Sequence, residues 1–301
     1  MHQPVHSLSL PECKLRELQT SEFNYCKDLD ASMPYLDQLM KPPVTKTALE
    51  VYNEECQQGC VRTFVEPLDN VLGGGIPLGE VTEFCGEPGS GKTQICFQLC
   101  ISVQLPTWCG GLNGEAVYIG TNCDFASHRV KEIAKRIMDR YVLFEAKHSF
   151  GNIGLNEINV ELIMERISYI NVSDYTQMLL IVTYLKDWLH DHPTVKLIVI
   201  DSICAPLKPL DGSQRTTIAY QLLQDLQKLA KEHNFAIIVT NNITTRFTCS
   251  SSYLAPSLGD NYYHRLNNRI YLCKKSSNVF KAVLLKSLFN SQTEIEFSLI
   301  S

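Results

Sequence analysis

The chain has no long apolar run: its longest stretches, such as Met178 to Val182 and Leu197 to Ile200, fall far short of the roughly 18 residues a membrane span requires. It also lacks the charged-then-apolar start of a secretory leader, so a soluble intracellular protein with no membrane partner is expected. A large excess of either charge is absent as well. A net of −5 over 301 residues excludes a surface that binds polyanions everywhere and confines any nucleic-acid contact to local loops. The C-x-x-C spacing of zinc sites is missing too. The chain has 12 cysteines, and the close pairs Cys56/Cys60 and Cys96/Cys100 are one helical turn apart. They read as buried or surface thiols, most of them free in a reducing compartment.

What is present is more specific. Glu83-Phe84-Cys85-Gly86-Glu87-Pro88-Gly89-Ser90-Gly91-Lys92-Thr93 contains a complete G-x-x-x-x-G-K-T loop, placed between an apolar strand and the amphipathic segment Gln94 to Val103. The glycines let the backbone curl so that successive N–H groups face phosphate oxygens. The helix beginning near Lys92 adds the positive end of its dipole. Lys92 is then the ammonium for the β- and γ-phosphates, and the Thr93 hydroxyl a magnesium ligand. ATP with Mg2+ is the expected cofactor. A dinucleotide fingerprint fails because its sixth position is Gln94 and not glycine.

Along the chain, residues 1–45 are polar, weakly periodic and punctuated by Pro4, Pro11, Pro34, Pro42 and Pro43; they read as a short N-terminal helical region and linker. A core over 46–301 follows. Its expected elements are a helix from Thr47 to Gln58, a strand from Val61 to Val65, a glycine-rich lead-in from Leu68 to Gly79 and a strand from Val81 to Cys85. Strands and helices then alternate: Glu115 to Ile119, a helix from Ala126 to Arg140, Ile167 to Val172, a helix from Tyr175 to Leu189, Val195 to Ile200, a helix marked by Ile218, Leu222, Leu226 and Leu229, and Phe235 to Val239. Repeated βα units imply an α/β fold with a mainly parallel sheet and helices on both faces. Arg269 to Cys273, Ala282 to Lys286 and Glu294 to Leu299 have short connections and predict an antiparallel C-terminal extension. The basic residues Arg129, Lys131, Lys135, Arg136 and Arg140, interleaved with Glu132 and Asp139, read as a solvated helix face.

Two strand ends complete the candidate site. Leu197-Ile198-Val199-Ile200-Asp201 is a buried run ending in a carboxylate at the edge where open α/β sheets bind ligands, so Asp201 is expected to hold the magnesium through water. Asn241 and Asn242, after Thr240, end the next strand and are candidates for sensing the γ-phosphate. The segment Ile243 to Asp260 has no apolar periodicity and reads as a long functional loop, in which Arg246 and Tyr253 are candidates for single-stranded nucleic acid.

The order of elements, with Leu68 to Pro77, Gly114 to Ile119, Leu197 to Ser202 and Val239 to Asn242, resembles the eukaryotic RecA/Rad branch of strand-exchange recombinases. Thr47-Ala48-Leu49-Glu50, Leu72 to Leu78 and Gly110 to Ala116 look most like its C-type paralogues, spindle-D-like members included. The resemblance spans residues 47 to 300 and implies a RecA-like P-loop NTPase core. It assigns Lys92, Thr93 and Asp201 to ATP and magnesium and Arg129 to the adenine. Lys208 and Arg215 fall in a first DNA-facing loop, and Arg246 in a second. It also implies assembly with other recombinase paralogues and the main strand-exchange recombinase, weak binding to single-stranded or branched DNA, and nuclear residence.

The departures from that family matter as much. Where members carry Asp-Thr-Glu-Gly, with glutamate as general base, this chain reads Gly120-Thr121-Asn122-Cys123. Asn122 cannot take a proton from water, and Asp124 is the one substitute nearby. Asn242 replaces a longer glutamine, and Leu288 replaces the proline of a cap over a neighbour's nucleotide. No Phe-x-x-Ala polymerisation motif or basic C-terminal targeting tail is found, and the N-terminal region is shorter than the family's. These residues leave open an ATP-binding recombination mediator, an active DNA-dependent ATPase, and a small-molecule phosphotransferase.

Overall fold

The computed structural model describes residues 45–123, 125–148, 159–247, 252–287 and 290–299. It divides into a unit ending at Gln57 and a unit from Gln58 onward. In the first, helix α1 (Ala48–Gln57) opens on a reciprocal cap: the Thr47 amide donates to Glu50 Oε2 at 2.7 Å and the Glu50 amide to Thr47 Oγ1 at 3.2 Å.

In the second unit, β1 (Cys60–Val61), α2 (Glu66–Val71) and β2 (Ile76–Pro77) lead into β3 (Val81–Gly86), which delivers the phosphate loop to α3 (Lys92–Ser102). The chain continues through β4 (Glu115–Gly120), α4 (Ser127–His148), α5 (Val160–Glu165), β5 (Ile167–Asn171), α6 (Tyr175–Asp191), β6 (Val195–Asp201) and α7 (Gly212–His233). It ends with β7 (Ala236–Phe247), β8 (Ser252–Pro256), α8 (Gly259–Arg265), β9 (Asn268–Lys274), β10 (Phe280–Lys286) and β11 (Glu294–Phe297). The sheet runs β11-β10-β9-β3-β7-β6-β4-β5, parallel from β9 to β5 and antiparallel from β9 through β11. This is the expected α/β architecture with its antiparallel extension.

Strand alternation divides the core between two faces. Leu197, Val199, Ala236 and Ile238 pack beneath α3 and α4, whereas Ile198, Ile200, Ile237 and Val239 pack beneath α6 and α7. The central strands are therefore buried on both sides, which is why they read as unbroken apolar runs.

Two expectations need correction. The segment Val61 to Val65 is not a strand beyond Val61. Phe64 has φ 56°, and Asp69 accepts from the Thr63 amide at 2.8 Å and the Phe64 amide at 3.1 Å. Helix α2, with Pro67 in its first turn, follows at once. The segment after Val239 is also not a plain loop. β7 continues through Phe247 and pairs antiparallel with β8, setting Arg246 opposite Tyr253; β-branched Ile243, Thr244 and Thr245 favour that extended pairing. The basic residues Lys131, Lys135, Arg136 and Arg140 are exposed along α4, as a solvated face requires.

Candidate nucleotide site

β3 pairs in parallel with β7 as far as its own end, where Gly86 lies opposite Asn242, and β6 lies on the far side of β7. The phosphate loop, Asp201 and Asn242 thereby meet at one carboxyl edge of the sheet. They line a cavity of about 490 Å³ with Asn122 of the β4 end, and Lys274 and Phe280 close its side.

The loop geometry depends on glycine at two places. Gly91 caps α3 at φ 90°, and a Cβ there would meet Leu299 Cδ1 at 2.9 Å and Phe280 Cε1 at 3.1 Å. At Gly86 an added Cβ would lie 2.2 Å from the Leu272 carbonyl oxygen and 2.7 Å from Ser90 Oγ. At Gly86 the obstacle is a backbone carbonyl that no side-chain rotation moves, and at Gly91 the positive φ strains any residue with a Cβ whatever its neighbours do. Gly86→Ala should therefore cost about 1–3 kcal/mol as an overpacked site, on the order of 2–12 °C in Tm, and lower nucleotide affinity with it. A thermal melt matching the wild type would contradict this reading of the loop.

Lys92 is buried, and its Nζ donates to the carbonyl oxygens of Gly86 and Glu87, both at 2.8 Å. Burial lowers its pKa, an effect opposed chiefly by the negative charge of Asp201. Thr93 Oγ1 donates to Asp201 Oδ2 at 2.6 Å, and Asp201 also accepts from Tyr118 and Thr240. A hydroxyl and a carboxylate in contact, an ammonium beside them and a glycine-walled cavity form a donor set that fits a magnesium nucleotide. The cation, when bound, supplies charge neutralisation between phosphate oxygens; the chain's own contribution is to hold the hydroxyl and carboxylate together.

The structure places the other candidates as follows. Asn242 lines the cavity, whereas Asn241 is fully buried on the opposite face of β7, as strand alternation requires. Asn241 Nδ2 donates to Glu83 Oε1 at 2.9 Å and its Oδ1 accepts from Ser257 at 2.5 Å, so this side chain is committed away from the phosphates. Arg129 pairs with Glu132 at 2.8 Å in the first turns of α4 and does not line the cavity. Arg215 belongs to α7 and not to a loop. Its guanidinium donates to the carbonyl oxygens of Leu207, Lys208 and Leu210 at 2.8–3.1 Å, bracing the turn on which Lys208 is exposed. Asp124 and Leu288 lie outside the described residues, and nothing is described of the Arg246 side chain.

The structure adds Lys274, Phe280 and Tyr118 to the site. The first two arrive because β9 pairs with β3, a segment far away in sequence, and carries its hairpin partner β10 with it. Tyr118 carried a findable signal, since alternation along β4 puts it on the same face as Val199 and Asp201.

A parallel sheet with helices on both faces, a phosphate loop after one strand and a carboxylate after another define a RecA-like P-loop nucleotide-binding core. The Rad51 family profile matches residues 57–299. DNA repair protein RAD51 homolog 3 of Cricetulus griseus is 38% identical over 257 residues, covering 84% of this chain and 70% of that protein. The protein of the same name from Dictyostelium discoideum is 31% identical over 245 residues, covering 79% and 64%. The chain thus spans about two thirds of the length of these curated relatives. It belongs to the Rad51 family.

Proposed function

We propose that this chain is an ATP-binding, C-type, spindle-D-like recombinase paralogue acting in homologous recombination and DNA double-strand-break repair, in meiosis among other settings. It works in the nucleus as a subunit of a complex with other paralogues, assists the main strand-exchange recombinase, and contacts DNA weakly on its own. The names of its relatives support the repair role. The observation that carries the nucleotide reading is the contact of Thr93 with Asp201 beside buried Lys92. Magnesium ATP then serves mainly as an element of the assembly, with Arg129 available to the base once Glu132 releases it.

Slow turnover follows from the cavity wall. Asn122 lines it where the family's general base stands, and an amide is neutral at every pH. Asn122→Glu should raise single-turnover ATP hydrolysis roughly 10²- to 10⁴-fold, the usual contribution of a general base, whereas Asn122→Ala should change little. The alternative is an active DNA-dependent ATPase with strand-exchange or remodelling activity. Brisk wild-type hydrolysis, stimulated by single-stranded DNA and indifferent to Asn122→Glu, would favour that alternative.

A further inference from the structure

Asp201 is gripped from both sides. It ends β6, and each flanking strand sends a hydroxyl to a different oxygen of the carboxylate: Tyr118 of β4 donates to Oδ2 at 2.8 Å and Thr240 of β7 donates to Oδ1 at 2.5 Å. The register explains the reach. Tyr118 and Ile238 both pair with Val199, two residues before Asp201, and Thr240 is two residues after Ile238. Side chains two apart share a face, so Tyr118, Asp201 and Thr240 project together toward α3, where Thr93 adds the third hydroxyl at 2.6 Å.

Thr93 alone of the three donors comes from the phosphate loop. Tyr118 and Thr240 are 2% and 0% exposed, so solvent does not compete for their hydroxyls. The Tyr118 ring is fixed between Phe97 at 5.2 Å and Phe125 at 5.1 Å between centroids. An aspartate tethered at both oxygens has lost the rotation about χ2 that would otherwise have to be frozen when a cation arrives.

We infer that the Tyr118 and Thr240 hydroxyls are positioning groups that hold the Asp201 carboxylate in the orientation a divalent cation requires. The inference rests on the nucleotide-binding reading above. Groups that orient a metal's carboxylate are typically worth 10- to 100-fold in metal affinity. The competing role for Tyr118 is packing alone, which its ring would satisfy without the oxygen.

The test is a Mg2+ titration of the full chain at a fixed concentration of a fluorescent ATP analogue, with a parallel nucleotide titration in EDTA and a thermal melt. Tyr118→Phe and Thr240→Val each remove one hydroxyl and keep the shape. Each should raise the Mg2+ concentration at half-saturation roughly 10- to 100-fold, while affinity in EDTA stays near the wild type. Phe125→Leu, which trims the packing on one side of the ring and keeps the Tyr118 hydroxyl, should lower Tm while shifting the Mg2+ midpoint far less than the hydroxyl variants do. Wild-type Mg2+ midpoints in folded Tyr118→Phe and Thr240→Val overturn the inference, as does a shift in Phe125→Leu as large as theirs. If one hydroxyl variant does not fold, the other decides; if neither folds, the groups are structural and the inference fails. A wild-type chain that binds the analogue at no Mg2+ concentration overturns the nucleotide reading itself.

Discussion

Lys92→Ala should weaken binding of magnesium ATP by roughly 30- to 4000-fold. That range converts the 2–5 kcal/mol typical of removing one partner of a buried, hydrogen-bonded charge pair, at 1.4 kcal/mol per factor of ten. The lysine is 8% exposed, and its ammonium is held by two loop carbonyls at 2.8 Å, so it is already positioned where phosphate charge would meet it. Because burial lowers its pKa, the ligand-free fold binds that proton less tightly than the unfolded chain does. Lys92 is therefore mildly destabilising below its folded pKa, and this penalty fades as pH climbs from there toward the ordinary lysine value of 10.5. Lys92→Ala should accordingly lose affinity without losing much ligand-free stability. Isothermal titration with a non-hydrolysable ATP analogue reads the first, and thermal melts with and without nucleotide read the second. The wild type should gain about 2.7 kcal/mol at a hundredfold excess over its Kd, and the variant about 0.9 kcal/mol or less at the same concentration. Equal affinity in the two proteins would remove the phosphate loop from the functional argument.

The second large effect lies behind the site. Glu83 of β3 and Arg269 of β9 form an ion pair that is 0% and 6% exposed at the side chains. Glu83 also accepts from Asn241, and the Arg269 guanidinium lies 4.7 Å over the Tyr263 ring. Arg269→Met leaves a buried carboxylate without its cation and should cost about 3–5 kcal/mol, roughly 6–20 °C in Tm. Burial pushes the Glu83 pKa up, with the Arg269 charge as the chief opposing influence. Without that charge the carboxyl protonates more readily still. A raised carboxyl pKa contributes stability below the unfolded value and loses it as pH rises through the folded value. The defect in Arg269→Met should therefore be smallest near pH 5 and largest near pH 8, and the added change Glu83→Gln should relieve most of it. Melts across that range check both points; a pH-independent deficit, unchanged by Glu83→Gln, would mean that packing and not charge sets the loss.

Much of this was legible in the sequence wherever one short segment carries its own geometry. The phosphate loop is such a segment, since glycines, lysine and threonine at fixed spacing determine both the curl and the chemistry. Leu197 to Asp201 is another, because a strand buried on both faces is apolar until it reaches the edge. Where expectation and structure differ, what decides is the neighbour that a segment or side chain meets, which residue type alone does not specify. Ile243 to Phe247 shows no alternation and became a strand because Ser252 to Pro256 pairs with it. Arg215, expected in a nucleic-acid loop, lies on α7, where carbonyls five to eight residues upstream take its guanidinium. Asn241 and Asn242 are neighbours of one residue type, yet the two-residue period of a strand sends one to Glu83 and the other to the cavity.

The sequence by itself therefore determined that this chain carries a nucleotide loop, a carboxylate to stand with it and no glutamate at Asn122, because each is fixed by residue type at short spacing. Only the tertiary structure decided that Asp201 is tethered by Tyr118 and Thr240, that Lys274 and Phe280 wall the cavity, and that Glu83 meets Arg269, 186 positions away. Those contacts depend on which strands lie side by side, and strand order is set by burial of the whole sheet and not by any one segment within it.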